Sequence, residues 1–212
     1  LQTPQWFASD WWTSLWLLSS KVPPLVYLST VPFISLFGGG MDPSSLVNLL
    51  YSAILLGSVY TLGVCLFSVP VGLWAAVICL LMPGLYRVRL DYLLDFPLAT
   101  MVILCFAWLT LWMGAGRRQK EKGTSEKLEE PEKDAIRIPM LGRWGWSIDP
   151  SWWLAIGMGI TLGLALMVKQ TALLFLVVPF AWVTVATIWQ RQWQRLAQLV
   201  LAGGISLLVF LP

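Results

Sequence analysis

Histidine is absent from the 212 residues, so imidazole acid–base catalysis and histidine metal ligation are outside this chain's chemistry. Charge is nearly as scarce. Charged residues make up 12% of the chain, where a soluble domain carries about 25%. Cysteine occurs three times, as Cys65, Cys79 and Cys105, each inside an apolar run. That placement reads as small buried hydrophobes rather than a disulfide or metal set. The N-terminal stretch has no basic start and its apolar run is broken, so it is not read as a signal peptide.

What the chain does have is apolar and aromatic. Hydrophobic residues make up 58% of it, with 14 tryptophans and a mean hydropathy of +0.73. Tryptophan is favoured at bilayer interfaces. The expected fold class is therefore all-α, a polytopic transmembrane helix bundle of about six spans plus an interfacial or re-entrant N-terminal helix.

Residues 1–20 hold Trp6, Phe7, Trp11, Trp12 and Trp16 with Asp10 as the one charge. They read as a segment lying along the membrane surface. Pro24 to Phe37 is apolar but shorter than the roughly 20 residues a crossing needs, so a re-entrant or surface-parallel helix is expected. Gly38–Gly40 is a flexible link, and Asp42-Pro-Ser-Ser45 can cap a helix start. This places an extracytoplasmic interfacial segment over 1–43.

No charge occurs between Ser44 and Tyr86, a run that as one helix would reach roughly 65 Å, about twice the hydrocarbon thickness. Ser68-Val-Pro-Val-Gly72 supplies the break, giving spans over about 45–67 and 71–86. Tyr92–Met113 is the next span, which completes the spanning region of 44–113. The stretch 114–150 is the one soluble-looking part, and its core over 117–134 is so poor in apolar residues that it reads as disordered. The final region, 151–212, reads as Trp152–Val168, Thr171–Trp189 and Leu196–Leu211, joined at Lys169-Gln170 and at Arg191-Gln-Trp-Gln-Arg195.

Basic residues set the orientation. The 114–150 loop and the Arg191/Arg195 turn lie on one side and carry ten of the 14 lysines and arginines. The positive-inside rule makes that side cytoplasmic in a multi-pass plasma (inner) membrane protein. Lys21, Arg87, Arg89 and Lys169 then face outward, together with Asp91 and Asp95. Outward basic residues run against the rule. A cluster of them at a bundle rim suits a phosphate, which arginine grips bidentately; snorkelling at helix ends is the plainer reading. Asp95 likewise reads either as a site residue or as a helix cap worth about 1 kcal/mol, with Pro97 fitting the first turn. Gly157, Gly159 and Gly163 have the spacing of close helix packing. The tryptophans read as interfacial anchors, with Trp11 or Trp12 as alternative sugar-stacking surfaces.

Arg89-Leu-Asp-Tyr-Leu-Leu-Asp95-Phe-Pro-Leu98 resembles the "R…LLD-x-PL" segment of polyprenyl-phosphate-dependent glycosyltransferases of the GT-C superfamily. The similarity is to the protein-mannosyltransferase and lipid A aminoarabinose-transferase type, glycosyltransferase family 39 and relatives. Lys21-Val-Pro-Pro-Leu25 followed by Leu36-Phe-Gly38 is similar to the family's "(K/H)PPL…LFG", and Gly163-Leu-Ala-Leu-Met-Val-Lys169 to its "GLALLTK". The resemblance runs from about Trp11 to Pro212. Two of its residues are displaced from the family pattern. Val22 separates Lys21 from the prolines, and Arg89 is displaced by about one position.

The resemblance implies transfer of a sugar, with inversion, from a polyprenyl-phosphate donor to an acceptor on the extracytoplasmic side. It implies that Lys21 and Lys169, with Arg87 and Arg89, contact the donor phosphate. Asp95 and Asp91 would hold the site's architecture. The catalytic residue stays unassigned. The family's acidic motif precedes its "KPPL" segment by more than the 20 residues that precede Lys21 here, so that motif and the first span are expected outside this chain. Asp10 is the one acid in that region. Expected partners are a polyprenyl-phosphate-linked sugar, the lipid bilayer, and a protein, lipid or glycan acceptor, with no nucleic acid. No cofactor is implied, and a divalent metal stays open. Two other readings fit the composition: a transporter or flippase-like carrier of an anionic substrate, and a non-catalytic membrane subunit.

Overall fold

Uncharged runs long enough to cross a bilayer become the long helices of this chain. A computed structural model describes residues 25–37, 41–83, 95–125 and 150–210. Among them are seven helices and no strand: α1 (Leu25–Phe37), α2 (Met41–Leu66), α3 (Val69–Leu81), α4 (Asp95–Ser125), α5 (Pro150–Val168), α6 (Ala172–Trp189) and α7 (Trp193–Phe210). Five of them contain stretches long and apolar enough to cross a membrane, over 46–66, 95–115, 151–168, 172–189 and 193–210. α1 and α3 have 13 residues each, about 20 Å of helix, short of a 30 Å hydrocarbon core.

The expected break near Ser68 is real. Ser68 is extended at φ −158°, and Val69 and Pro70 open the first turn of α3, where a missing N–H costs nothing. The α2–α3 hairpin closes on two glycines. A Cβ on Gly63 would stand 2.5 Å from the Gly72 Cα, and one on Gly72 would stand 2.7 Å from the Tyr60 carbonyl oxygen.

α4 is central, packing on α2 along one side and on α5 along another. α5 in turn packs closely on α7, and α1 rests on α2 and α5. A Cβ on Gly159 would stand 2.6 Å from the Ala202 carbonyl oxygen, and one on Gly163 the same distance from the Val209 Cβ. Gly157 seats the Trp108 ring. These are the helix-packing roles expected for the three glycines. α6 touches the bundle along a narrow stripe of Ala172, Leu176, Val183 and Thr187, and presents Leu174, Val178, Trp182 and Trp189 outward.

Two apolar clusters fill the bundle. One gathers Val26, Tyr51, Phe96, Cys105, Val168 and Leu176, from α1, α2, α4, α5 and α6. The other gathers Trp112, Met158, Val183 and Ala202. Hydroxyls inside the helices return to their own backbone: Ser52, Thr100, Thr161 and Thr187 each donate to the carbonyl four residues earlier. Among the described residues no buried side-chain nitrogen or oxygen lacks a partner, as a hydrocarbon surround demands.

Several expected boundaries shift. α3 stops at Leu81, not near 86, and the expected span start at Tyr92 lies outside the described residues, which resume with α4 at Asp95. α2 is already helical at Met41, so Asp42 lies within the helix rather than before it. α4 also runs on to Ser125, through Arg117–Lys122, where the composition reads as disorder. Arg, Gln, Lys and Glu are strong helix formers, and a helix already nucleated in the span extends into them at little cost. α7 starts at Trp193, so Arg195 belongs to its first turn and not to the connecting turn. Of the three cysteines only Cys105 is buried; Cys79 is half-buried and Cys65 is exposed. An apolar residue on a membrane helix faces lipid as readily as protein, so an apolar run does not by itself imply burial.

Polar side chains bind three helices together at one end. The Trp112 indole Nε1 donates to Gln198 Oε1 at 2.8 Å, and Gln198 Nε2 donates to Ser151 Oγ at 2.9 Å. This joins α4, α7 and α5. Gln198→Ala would leave both partners unpaired in a buried site, and a loss of about 1–2 kcal/mol in detergent unfolding is expected. Ser151→Ala breaks one bond, and its loss should be smaller.

Candidate functional site

A charged pair sits at the end of the bundle opposite that polar clasp. Lys169 Nζ donates to Asp95 Oδ1 at 2.8 Å, across 74 residues of chain. Each partner is held by an apolar neighbour sunk in the same cluster. Phe96, next to Asp95, is 2% exposed, and Val168 and Ala172 on either side of the Lys169 turn are fully buried. The turn is tight. The Lys169 amide donates to the Ala165 carbonyl at 3.2 Å, and the Lys169 carbonyl accepts from the Ala172 amide at 3.0 Å. Asp95 is the first residue of α4, where the helix dipole favours a negative charge.

Both ends of the bundle are defined by contacts. Asp95 meets Lys169 at one, and Arg195 donates to the Met113 carbonyl at 3.5 Å at the other. Asp95 and Met113 lie about 27 Å apart along α4. Lys169 is thus separated by a bundle length from Arg191 and Arg195, as alternation of the spans requires.

The pair is open. The Lys169 side chain is 41% exposed and that of Asp95 70%. An exposed ion pair contributes little to stability, so the double-mutant cycle of Asp95→Asn and Lys169→Met is expected to give a coupling below about 1 kcal/mol in unfolding. The ammonium keeps two donors after serving Asp95, and among the described residues neither has a partner, which leaves them open to an anionic oxygen. The carboxylate fixes where the ammonium points and offsets its charge.

Of the residues singled out in the sequence, Asp95 and Lys169 are brought together. Asp10, Lys21, Arg87, Arg89 and Asp91 lie outside the described residues, as do Trp11 and Trp12. Sequence reasoning passed over Gln198 and Trp112. The signal was available: a glutamine in the apolar run of α7 needs a buried partner. Among the described residues no group of three or more Cys, Asp or Glu is placed to hold a metal.

Helices of this length and apolarity, packed in this way, define a multi-pass helical membrane protein. No protein-family model, curated protein or solved structure matches the chain. The likeness to the GT-C enzymes rests on the short sequence motifs alone.

Proposed function

We propose that this chain is part of a membrane glycosyltransferase that takes a sugar from a polyprenyl-phosphate donor on the extracytoplasmic side, with Lys169 on the donor phosphate and Asp95 positioning it. One observation carries the reading. The "LLD-x-PL"-like and "GLALLTK"-like segments, far apart in sequence, each deliver one partner of the Asp95–Lys169 pair. Arg89 and Asp91 precede Asp95 by six and four residues, and Lys21 precedes α1 by four.

The chemistry is a displacement at the anomeric carbon. A general base takes the proton of the acceptor hydroxyl, and the oxygen attacks the anomeric carbon from the face opposite the phosphate. The bond from that carbon to the phosphate oxygen breaks, and its electron pair leaves on polyprenyl phosphate. Negative charge grows on the leaving phosphate, so a lysine there binds the transition state more strongly than the bound donor. Asp10 is the acid of this chain considered as base. With Lys169 outward, the Arg191 end and the 114–150 loop are cytoplasmic.

The test is transfer from a radiolabelled polyprenyl-phosphate sugar by the full-length protein in liposomes, comparing Lys21→Ala, Lys169→Ala and Asp95→Asn. Release of polyprenyl phosphate, reduced in the variants, supports the reading. Undiminished activity in all three ends the site assignment. Movement of the intact lipid-linked sugar between leaflets, without cleavage, makes the protein a carrier instead.

A further inference from the structure

The α6–α7 turn holds a second basic site that the transfer reaction does not use. We propose that it binds the headgroup of an anionic phospholipid, with Arg191 as the phosphodiester ligand. The proposal rests on the multi-pass fold and is independent of the reaction catalysed.

Arg191 has φ 52°, the one left-handed non-glycine among the described residues. Glycine or asparagine suits that conformation better, so arginine there carries a conformational penalty that a side-chain role would explain. The backbone around it is fully engaged. The Arg191 amide donates to the Ile188 carbonyl at 3.0 Å and the Gln192 amide to the Thr187 carbonyl at 3.1 Å, while the Arg191 carbonyl accepts from Trp193 at 3.2 Å. The neighbouring side chains close on one another, Gln192 Nε2 donating to Gln190 Oε1 at 2.8 Å. The Arg191 guanidinium has no hydrogen bond or ion pair among the described residues. Among the described residues its donors are open to a ligand.

Depth and charge say what that ligand is. Trp189 and Trp193 flank the turn, 87% and 72% exposed, and exposed indoles settle at the headgroup layer. A second cation stands beside them. Arg195 lies 5.0 Å over the Trp112 ring, which holds its guanidinium at the same end. Two arginines set between membrane-facing tryptophans complement a phosphodiester that carries net negative charge; a zwitterionic headgroup would bring its own ammonium against them.

Full-length protein is taken into micelles containing equal phosphatidylglycerol and phosphatidylcholine, and bound lipid is counted by native mass spectrometry. The wild type is expected to retain phosphatidylglycerol preferentially. Arg191→Gly and Arg191→Asn, both compatible with the left-handed turn, should lower that preference about fivefold with no fall in the unfolding midpoint. An unchanged preference in both variants overturns the proposal. So does displacement of the lipid by millimolar glycerol phosphate, which would make the ligand a soluble anion.

Discussion

Under the proposed function, replacing Lys169 with alanine is expected to reduce sugar transfer by about 10²–10³-fold, the loss typical of one preorganised donor to a developing negative charge. The fold should survive. Lys169 sits on an exposed turn whose anchors are its neighbours Val168 and Ala172, and the side chain's protein partner is an exposed carboxylate. The unfolding midpoint should therefore shift by no more than an exposed ion pair allows, about 1 kcal/mol. The loss should fall on kcat rather than on KM, because the leaving phosphate gains charge only as the bond breaks. Asp95→Asn keeps the shape and removes the charge that aims the ammonium, so its loss should be smaller. A Lys169→Ala protein that unfolds easily but transfers normally would invert both statements and mark the pair as structural.

Gly159→Leu is expected to have the opposite signature, a loss of fold with no chemistry at the site. Its Cβ would stand 2.6 Å from the Ala202 carbonyl oxygen and 2.9 Å from the Ala202 Cα. Both are backbone atoms, and no rotamer relieves them. α5 and α7 would have to separate along their most extensive contact, which also carries Gly163 against Val209 and Ser206. Overpacking a well-filled core costs about 1–3 kcal/mol, and a backbone clash in a helix pair lies at or above the top of that range. Gly203→Ala is the control. A Cβ there meets nothing within 4 Å, so its unfolding midpoint should hold. Unfolding of the purified protein in mild detergent measures both.

Much of the bundle was legible because bilayer thickness converts a run length into a span. Pro70 and Gly72 marked the α2–α3 turn, and the alternation of spans put Asp95 and Lys169 at one end before any distance was known. The glycines of α5 were legible by spacing, although their partners Trp108, Ala202 and Val209 were not. Other features depend on what an apolar sequence does not encode. Lipid and protein interior are equally apolar, so Cys65 facing outward and Cys105 facing inward look alike. The short length of α3 was hidden by the apolar residues that follow Leu81. The extension of α4 to Ser125 comes from helix propagation out of a span, which composition counted over the loop alone misses. The Trp112–Gln198–Ser151 clasp joins residues 86 and 47 positions apart and needed the fold to be seen.

The central claim is that Asp95 and Lys169 meet at one end of the bundle, a helix length away from Arg191. Pulsed electron paramagnetic resonance measures it directly, on protein with Cys65, Cys79 and Cys105 replaced by alanine and spin labels on introduced cysteines. The Asp95→Cys/Lys169→Cys pair is expected to give a short distance. The Lys169→Cys/Gln192→Cys pair is expected to give roughly 27 Å or more, the length of the 18 residues of α6. A label at position 95 found nearer to 192 than to 169 would contradict the architecture and the site built on it.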